Sequence, residues 1–158
     1  MLTVSNSSPL IALSAISRLD LLPALFSSIS IPPAVAAEIA PSIPSRPDWL
    51  LLVALNRPIP STVVRPGLGQ GEREALSLGI ELQADYLIID DWPARRAAQA
   101  VGLQVIGTLG VLLAGKRRAL IDSIGPSAEA LRQHGFFMSP KLYEQFLQLA
   151  GEAKPETE

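Results

Sequence analysis

The chain has 158 residues, nearly half of them hydrophobic (48%), no cysteine and a formal net charge of -2. That length suits a single domain with a core of its own, and the lack of cysteine excludes disulfide frameworks, zinc–thiolate sites and thiol nucleophiles. The weak negative charge leaves room for a local basic patch but not for a broad basic footprint of the kind that wraps nucleic acid.

The mean hydropathy of +0.31 raises the question of a membrane. No uninterrupted apolar run approaches the roughly 20 residues that a spanning helix needs. The N-terminus lacks a basic leader, and Arg18 and Asp20 soon follow its apolar stretch, so a targeting peptide is rejected. A soluble protein of the reducing cytoplasm is expected.

In chain order, Leu2 to Ser5 reads as a first strand, and Ser7 or Ser8 followed by Pro9 as the start of a helix over about Pro9 to Ile16. A short helix over Leu19 to Phe26, an extended run over Ser28 to Ile31 and a third helix over Ala34 to Ala40 come next. Glu38 is the single charge in that alanine-rich helix. The proline-rich stretch from Pro41 to Gly69 reads as loop, apart from a hydrophobic segment over Trp49 to Leu55.

Gly69-Gln70-Gly71-Glu72 opens a helix to about Leu82, and Tyr86 to Ile89 forms a buried strand that ends on Asp90-Asp91. A helix over Pro93 to Val101 and a strand over Leu103 to Ile106 follow, with Gly107-Thr108 capping a helix to Lys116. Two more helices are expected over Ser127 to His134 and Pro140 to Ala150, then a frayed polar tail over residues 152–158. Strands alternating with helices predict an α/β fold in three layers, α/β/α, around a mainly parallel sheet, built as one domain over residues 1–151.

In such a fold the functional crevice lies beyond the carboxyl ends of the strands. Glu38, Glu72, Asp90 and Asp91 all fall where that edge would expose them, and Asn6 stands in the same relation to the first strand. Carboxylates that converge repel one another unless a hard cation lies between them, which points to Mg²⁺ or Mn²⁺ and metal-assisted attack of water on a phosphodiester. Each acid also has a structural reading: Glu72 at the positive end of a helix, Asp91 as the cap of the helix near Pro93.

The ordered segments S-N-S-S-P-L-I-A-L, I-P-P-A-V-A-A-E-I, G-E-R-E-A-L, L-I-I-D-D-W-P-A-R and V-I-G-T-L-G-V-L-L resemble the PIN-domain-like proteins of the DUF3368 group, relatives of VapC toxins. The resemblance runs from about Val4 to Glu152. It implies a PIN fold, a metal-dependent ribonuclease active on RNA, a small antitoxin partner and a homodimer.

Carried over by position, the resemblance makes Glu38, Glu72, Asp90, Asp91 and Asn6 the catalytic pocket, with Asn6, Glu38, Asp90 and Asp91 as metal ligands. Asp90 is preferred over Asp91 as ligand, although the family pattern offers one acid where this chain has two. Asn6 is the departure, since PIN nucleases usually carry aspartate there. An amide oxygen can bind Mg²⁺ without bringing negative charge, so weaker metal binding is expected, and a catalytically weakened binding or regulatory module is the alternative function.

Arg95 and Arg96, with Lys116, Arg117 and Arg118, are candidates for contacting RNA phosphates, against the plainer reading of a solvated helix face. Ser7 and Thr108 are candidates for a helix cap or an active-site hydroxyl. The lone His134 has no partner pattern for a Ser-His-Asp hydrolase, and the glycines around Gly69 lack the Lys-Ser/Thr of a phosphate-binding loop.

Overall fold

The computed structural model describes residues 1–64 and 66–152. The inner strands are buried on both faces, as expected of a parallel sheet covered by helices, and this burial includes the polar Thr3, Ser5 and Ser30. The strands are β1 (Thr3–Ser5), β2 (Ile29–Ile31), β3 (Leu50–Leu52), β4 (Tyr86–Ile88) and β5 (Val105–Ile106). The helices are α1 (Ser7–Ala15), α2 (Leu21–Phe26), α3 (Pro33–Ile39), α4 (Gln70–Leu82), α5 (Trp92–Ala100), α6 (Thr108–Arg117), α7 (Gly125–Gln133) and α8 (Pro140–Leu149).

All five strands run parallel in the order β3-β2-β1-β4-β5, with helices on either side in three α/β/α layers. Helix α4 lies against β1 and β4 and touches α5, while α6 packs on both α1 and α2. The chain starts in the middle of the sheet, builds outward through β2 and β3, then crosses to the other side of β1 for β4 and β5. That reversal puts the topological switch between β1 and β4, where Ser5 pairs with Ile88. Residues just past these two strands therefore open onto the crevice where such sheets bind ligands.

The core is one cluster, with Val4, Ile29, Ile31, Leu87 and Ile88 of the sheet and Leu10, Leu13, Leu76 and Leu78 of the helices all fully buried. At the outer edge, β3 buries Leu50 but leaves Leu51 and Leu52 about half exposed. No helix among the described residues is long and apolar enough to cross a membrane.

Element boundaries follow the sequence closely, with two informative differences. Helix α1 begins two residues earlier than Pro9, with Asn6 at the N-cap position and Ser7 as its first helical residue. Proline is tolerated in that first turn because the amide it removes would have no helical acceptor. The second difference is Glu152, assigned to a frayed tail from sequence. Its carboxylate accepts the backbone N–H groups of Ile124 and Gly125 at the start of α7 and pairs with Lys116 at 2.8 Å. The rest of that tail, residues 153–158, lies outside the described residues.

Candidate active site

Asn6 follows β1 directly, and its backbone N–H donates to Ile88 O at 2.9 Å, so the hydrogen bonding of β1 to β4 continues one residue past the strand. The side chain is 1% exposed, and its Oδ1 has no hydrogen-bond partner. An unpaired buried acceptor costs about 1–3 kcal/mol.

Next to it, the Ser7 hydroxyl donates to Glu38 Oε2, which ties α3 to the start of α1. The Glu38 carboxylate also presses on the first turn of α4. A Cβ added to Gly71 would stand 2.5 Å from Glu38 Oε2 and 2.6 Å from Oε1, so only glycine lets the acid sit there undisturbed.

Across the switch point, Asp90 lies two residues beyond β4. Its Oδ1 accepts the Thr108 backbone N–H at 2.7 Å and its Oδ2 the Thr108 hydroxyl at 2.6 Å. Burial pushes the Asp90 carboxyl above the usual carboxylate range, while the two Thr108 hydrogen bonds and the charge of Arg95 pull partly against that rise. Gly107 leaves room for this group: a Cβ there would lie 2.8 Å from Asp90 Oδ1 and 2.9 Å from an Arg95 guanidinium nitrogen.

The structure thus gathers Asn6, Ser7 and Glu38 over the end of β1, and Asp90, Arg95 and Thr108 over the ends of β4 and β5. The other two acids expected in the pocket take structural work. Glu72 turns back to accept the Gly69 N–H at the start of α4, and Asp91 caps α5 by accepting the Ala94 N–H at 3.2 Å. Both carboxylates neutralise free amides at the positive end of a helix, the structural reading that the sequence also allowed.

Thr108 is fully buried and is the first residue of α6, with Gly107 in the cap position, so its hydroxyl serves Asp90 rather than its own helix. Among the basic candidates, Arg95 is half-buried beside Asp90 and Arg96 is exposed beside Trp92. Lys116 is turned away from a phosphate role by Glu152 and the Ala150 carbonyl oxygen, and Arg117 is exposed on the last turn of α6. Sequence reading missed the contact of Glu38 with Gly71 and the service of Thr108 to Asp90. The glycines preceding Glu72 and Thr108 were the available signals.

Among the described residues no three His, Cys, Asp or Glu side chains come close enough to form a metal cage. The residues nonetheless fit a Mg²⁺- or Mn²⁺-like ion. The donors at the switch point are all oxygens, the orphaned Asn6 Oδ1 lacks a partner, and such ions are commonly held by one or two carboxylates completed by water and phosphate.

The DUF3368 family model, described as a PIN domain, matches residues 2–152. Among solved structures, the chain is similar to a PilT N-terminus domain protein from the hyperthermophilic archaeon Sulfolobus solfataricus P2. The TM-score is 0.58 at 22% identity, over 72% of this chain and 92% of that one, a likeness that speaks for the fold alone. No curated protein matches the chain at a significant level.

Proposed function

We propose that this chain, which belongs to the DUF3368 family of PIN domains, is a metal-dependent ribonuclease that hydrolyses RNA phosphodiester bonds and acts as the toxin of a toxin–antitoxin pair. The observation that carries this reading is the buried, unpartnered Oδ1 of Asn6 at the switch point, just past β1, with Asp90 two residues past the neighbouring β4. A nuclease-like fold with an unsatisfied oxygen at its functional edge calls for a cation.

Asn6, Asp90 and Glu38 would hold Mg²⁺ or Mn²⁺. A bound ion of this kind supplies a Lewis acid at the phosphate and a more acidic water as nucleophile. The chain's own residues orient that chemistry. Thr108 fixes both oxygens of Asp90, Ser7 holds Glu38, and the half-buried Arg95 offers positive charge to an incoming phosphate. With an amide at position 6, the pocket is one charge less negative than an all-acid set, which lowers its affinity for the cation.

The test is cleavage of RNA by purified protein with Mn²⁺. Activity should vanish with EDTA and in Asp90→Ala, and cleavage that survives both would overturn the mechanism. Induction of the gene alone should arrest growth, and co-expression of a neighbouring small antitoxin should relieve the arrest. We further propose a homodimer as the working form, which light scattering showing only monomer would refute.

A second reading is a binding or regulatory module with weakened catalysis. The neutral Asn6 and the lack of a three-acid cluster among the described residues favour it. Cleavage that emerges only in Asn6→Asp would support this module. A strong wild-type rate that Asn6→Asp leaves unchanged would eliminate it.

A further inference from the structure

Beside Asp90 lies a groove of about 470 Å³, bounded by β5, α6, the turn between α7 and α8, and α8 itself. Its volume falls within the range of sites that hold small organic molecules. It is lined by Asp90 and Arg95 and by apolar side chains that include Leu109, Phe136, Phe137 and Leu142. Gln145 is the one uncharged amide side chain among its lining residues.

Three features of this groove are unexpected for a mere crease in the surface. Phe137 is 87% exposed, although its ring would be buried readily in a core. Arg95 Nε is buried without a hydrogen-bond partner, and Arg95 makes no ion pair among the described residues. Asp90, the one acid among the lining residues, feels the charge of Arg95 but forms no ion pair with it among the described residues, so the guanidinium keeps hydrogen-bonding capacity for an anion.

A mostly apolar groove whose lining holds an exposed aromatic ring, one amide and one cation matches a nucleotide: a flat π-face, a polar base edge and a phosphate. We infer that this groove receives one unstacked base of single-stranded RNA, from the nucleotide adjoining the phosphate to be cut. Phe137 supplies the stacking face, Gln145 meets the base edge, and Arg95 meets the phosphate. A base locked in a duplex cannot enter, so the groove selects single strands. A protein segment lying here would bury Arg95 against apolar surface unless it brought a matching acid. The inference rests on the nuclease reading and adds a base-binding groove to it.

The experiment measures binding of short single-stranded RNA in EDTA, where the mechanism above predicts no cleavage, alongside cleavage in Mn²⁺. Because Phe137 is exposed, its truncation leaves the core intact. Phe137→Ala should weaken binding about tenfold, the effect of losing one stacked base, whereas Phe137→Trp should bind like wild type. The salt dependence should not change in Phe137→Ala, since stacking releases no counterions, but should become shallower by about one phosphate in Arg95→Gln. With oligonucleotides carrying a single abasic nucleotide walked along the sequence, one position should erase the difference between wild type and Phe137→Ala.

If wild type cuts RNA in Mn²⁺ and Phe137→Ala binds and cuts it equally well, the base site is refuted and the nuclease reading stands. If wild type neither binds nor cuts RNA, both fall together. If Phe137→Ala leaves RNA binding intact but breaks a dimer formed by wild type, the groove is a contact between copies and the base site is refuted.

Discussion

Asp90 carries a carboxylate in a place where burial penalises its charge, and that tension can be measured. Its pKa is raised in the folded protein relative to an unfolded value of 3.8. The sign follows: its contribution to stability is present below about pH 4 and is lost as pH rises through the raised folded value. Asp90→Asn, whose amide can still accept from the Thr108 N–H and donate to its hydroxyl oxygen, should therefore melt like wild type near pH 4 and a few degrees higher near pH 7. The same substitution should lower Mn²⁺-dependent cleavage at least about 100-fold, separating function from stability. Gly71→Ala makes the complementary case. The new methyl meets only the far end of Glu38, so the thermal midpoint should move by no more than about 3 °C while cleavage falls, because Glu38 is pushed off its seat. At this scale the sequence showed which acids stand at the sheet edge, but not which of them are absorbed by helix ends. Asp90 too accepts an amide at a helix start, that of Thr108, and what sets it apart from Glu72 and Asp91 is its burial and the Thr108 hydroxyl on its second oxygen, both fixed by the fold.

Among elements, most strands and helices were legible because Gly, Pro, Ser or Asp punctuates them, and outside residues 41–69 their ends moved by only one or two residues. Residues 41–69 were less so, since prolines remove both the periodicity and the backbone donors on which such reading depends. This segment is instead tied down from outside. Ile43, Val63 and Leu68 are buried in the core, and the Glu81 carboxylate of α4 accepts the backbone N–H groups of Asn56 and Arg57. Glu152 does a similar job at the other end, holding the start of α7 and the end of α6 together. Burial opposes its ionisation, but hydrogen bonds from the Ile124 N–H, Lys116 and the Gly125 N–H outweigh this and hold its carboxyl below the usual range. A lowered folded pKa gives stability that is present above the unfolded value of 4.5 and lost as pH falls through the folded one. Glu152→Gln should therefore melt lower than wild type near pH 7, and the gap should close in acid below about pH 4, as circular dichroism melts at several pH values would show.

For the molecule as a whole, the alternation of strands and helices announced the α/β class, yet not the strand order. With three residues or fewer per strand, little register information exists, and only the folded chain reveals that β1 is central and that the switch falls between β1 and β4. A cation at the site proposed there would bind the folded chain and not the unfolded one, so its occupancy would be linked to global stability. Mn²⁺ at about 100 times its dissociation constant should stabilise wild type by about 2.7 kcal/mol and leave Asp90→Asn nearly unmoved. A titration of the thermal midpoint against Mn²⁺ checks this without reference to catalysis.

The edge strand β3 has a consequence for handling the protein. Leu50-Leu51-Leu52 forms an edge strand with no strand neighbour on its outer side among the described residues and with two half-exposed leucines, the pattern from which sheets add foreign strands and clump. Its brevity limits the hazard, but nothing charged guards it: the nearest charged residues along the chain are Asp48 and Arg57. Leu51→Lys, at an exposed position, should raise the concentration at which the purified chain begins to scatter light, leaving its melting temperature and its chemistry at the far side of the switch as they were.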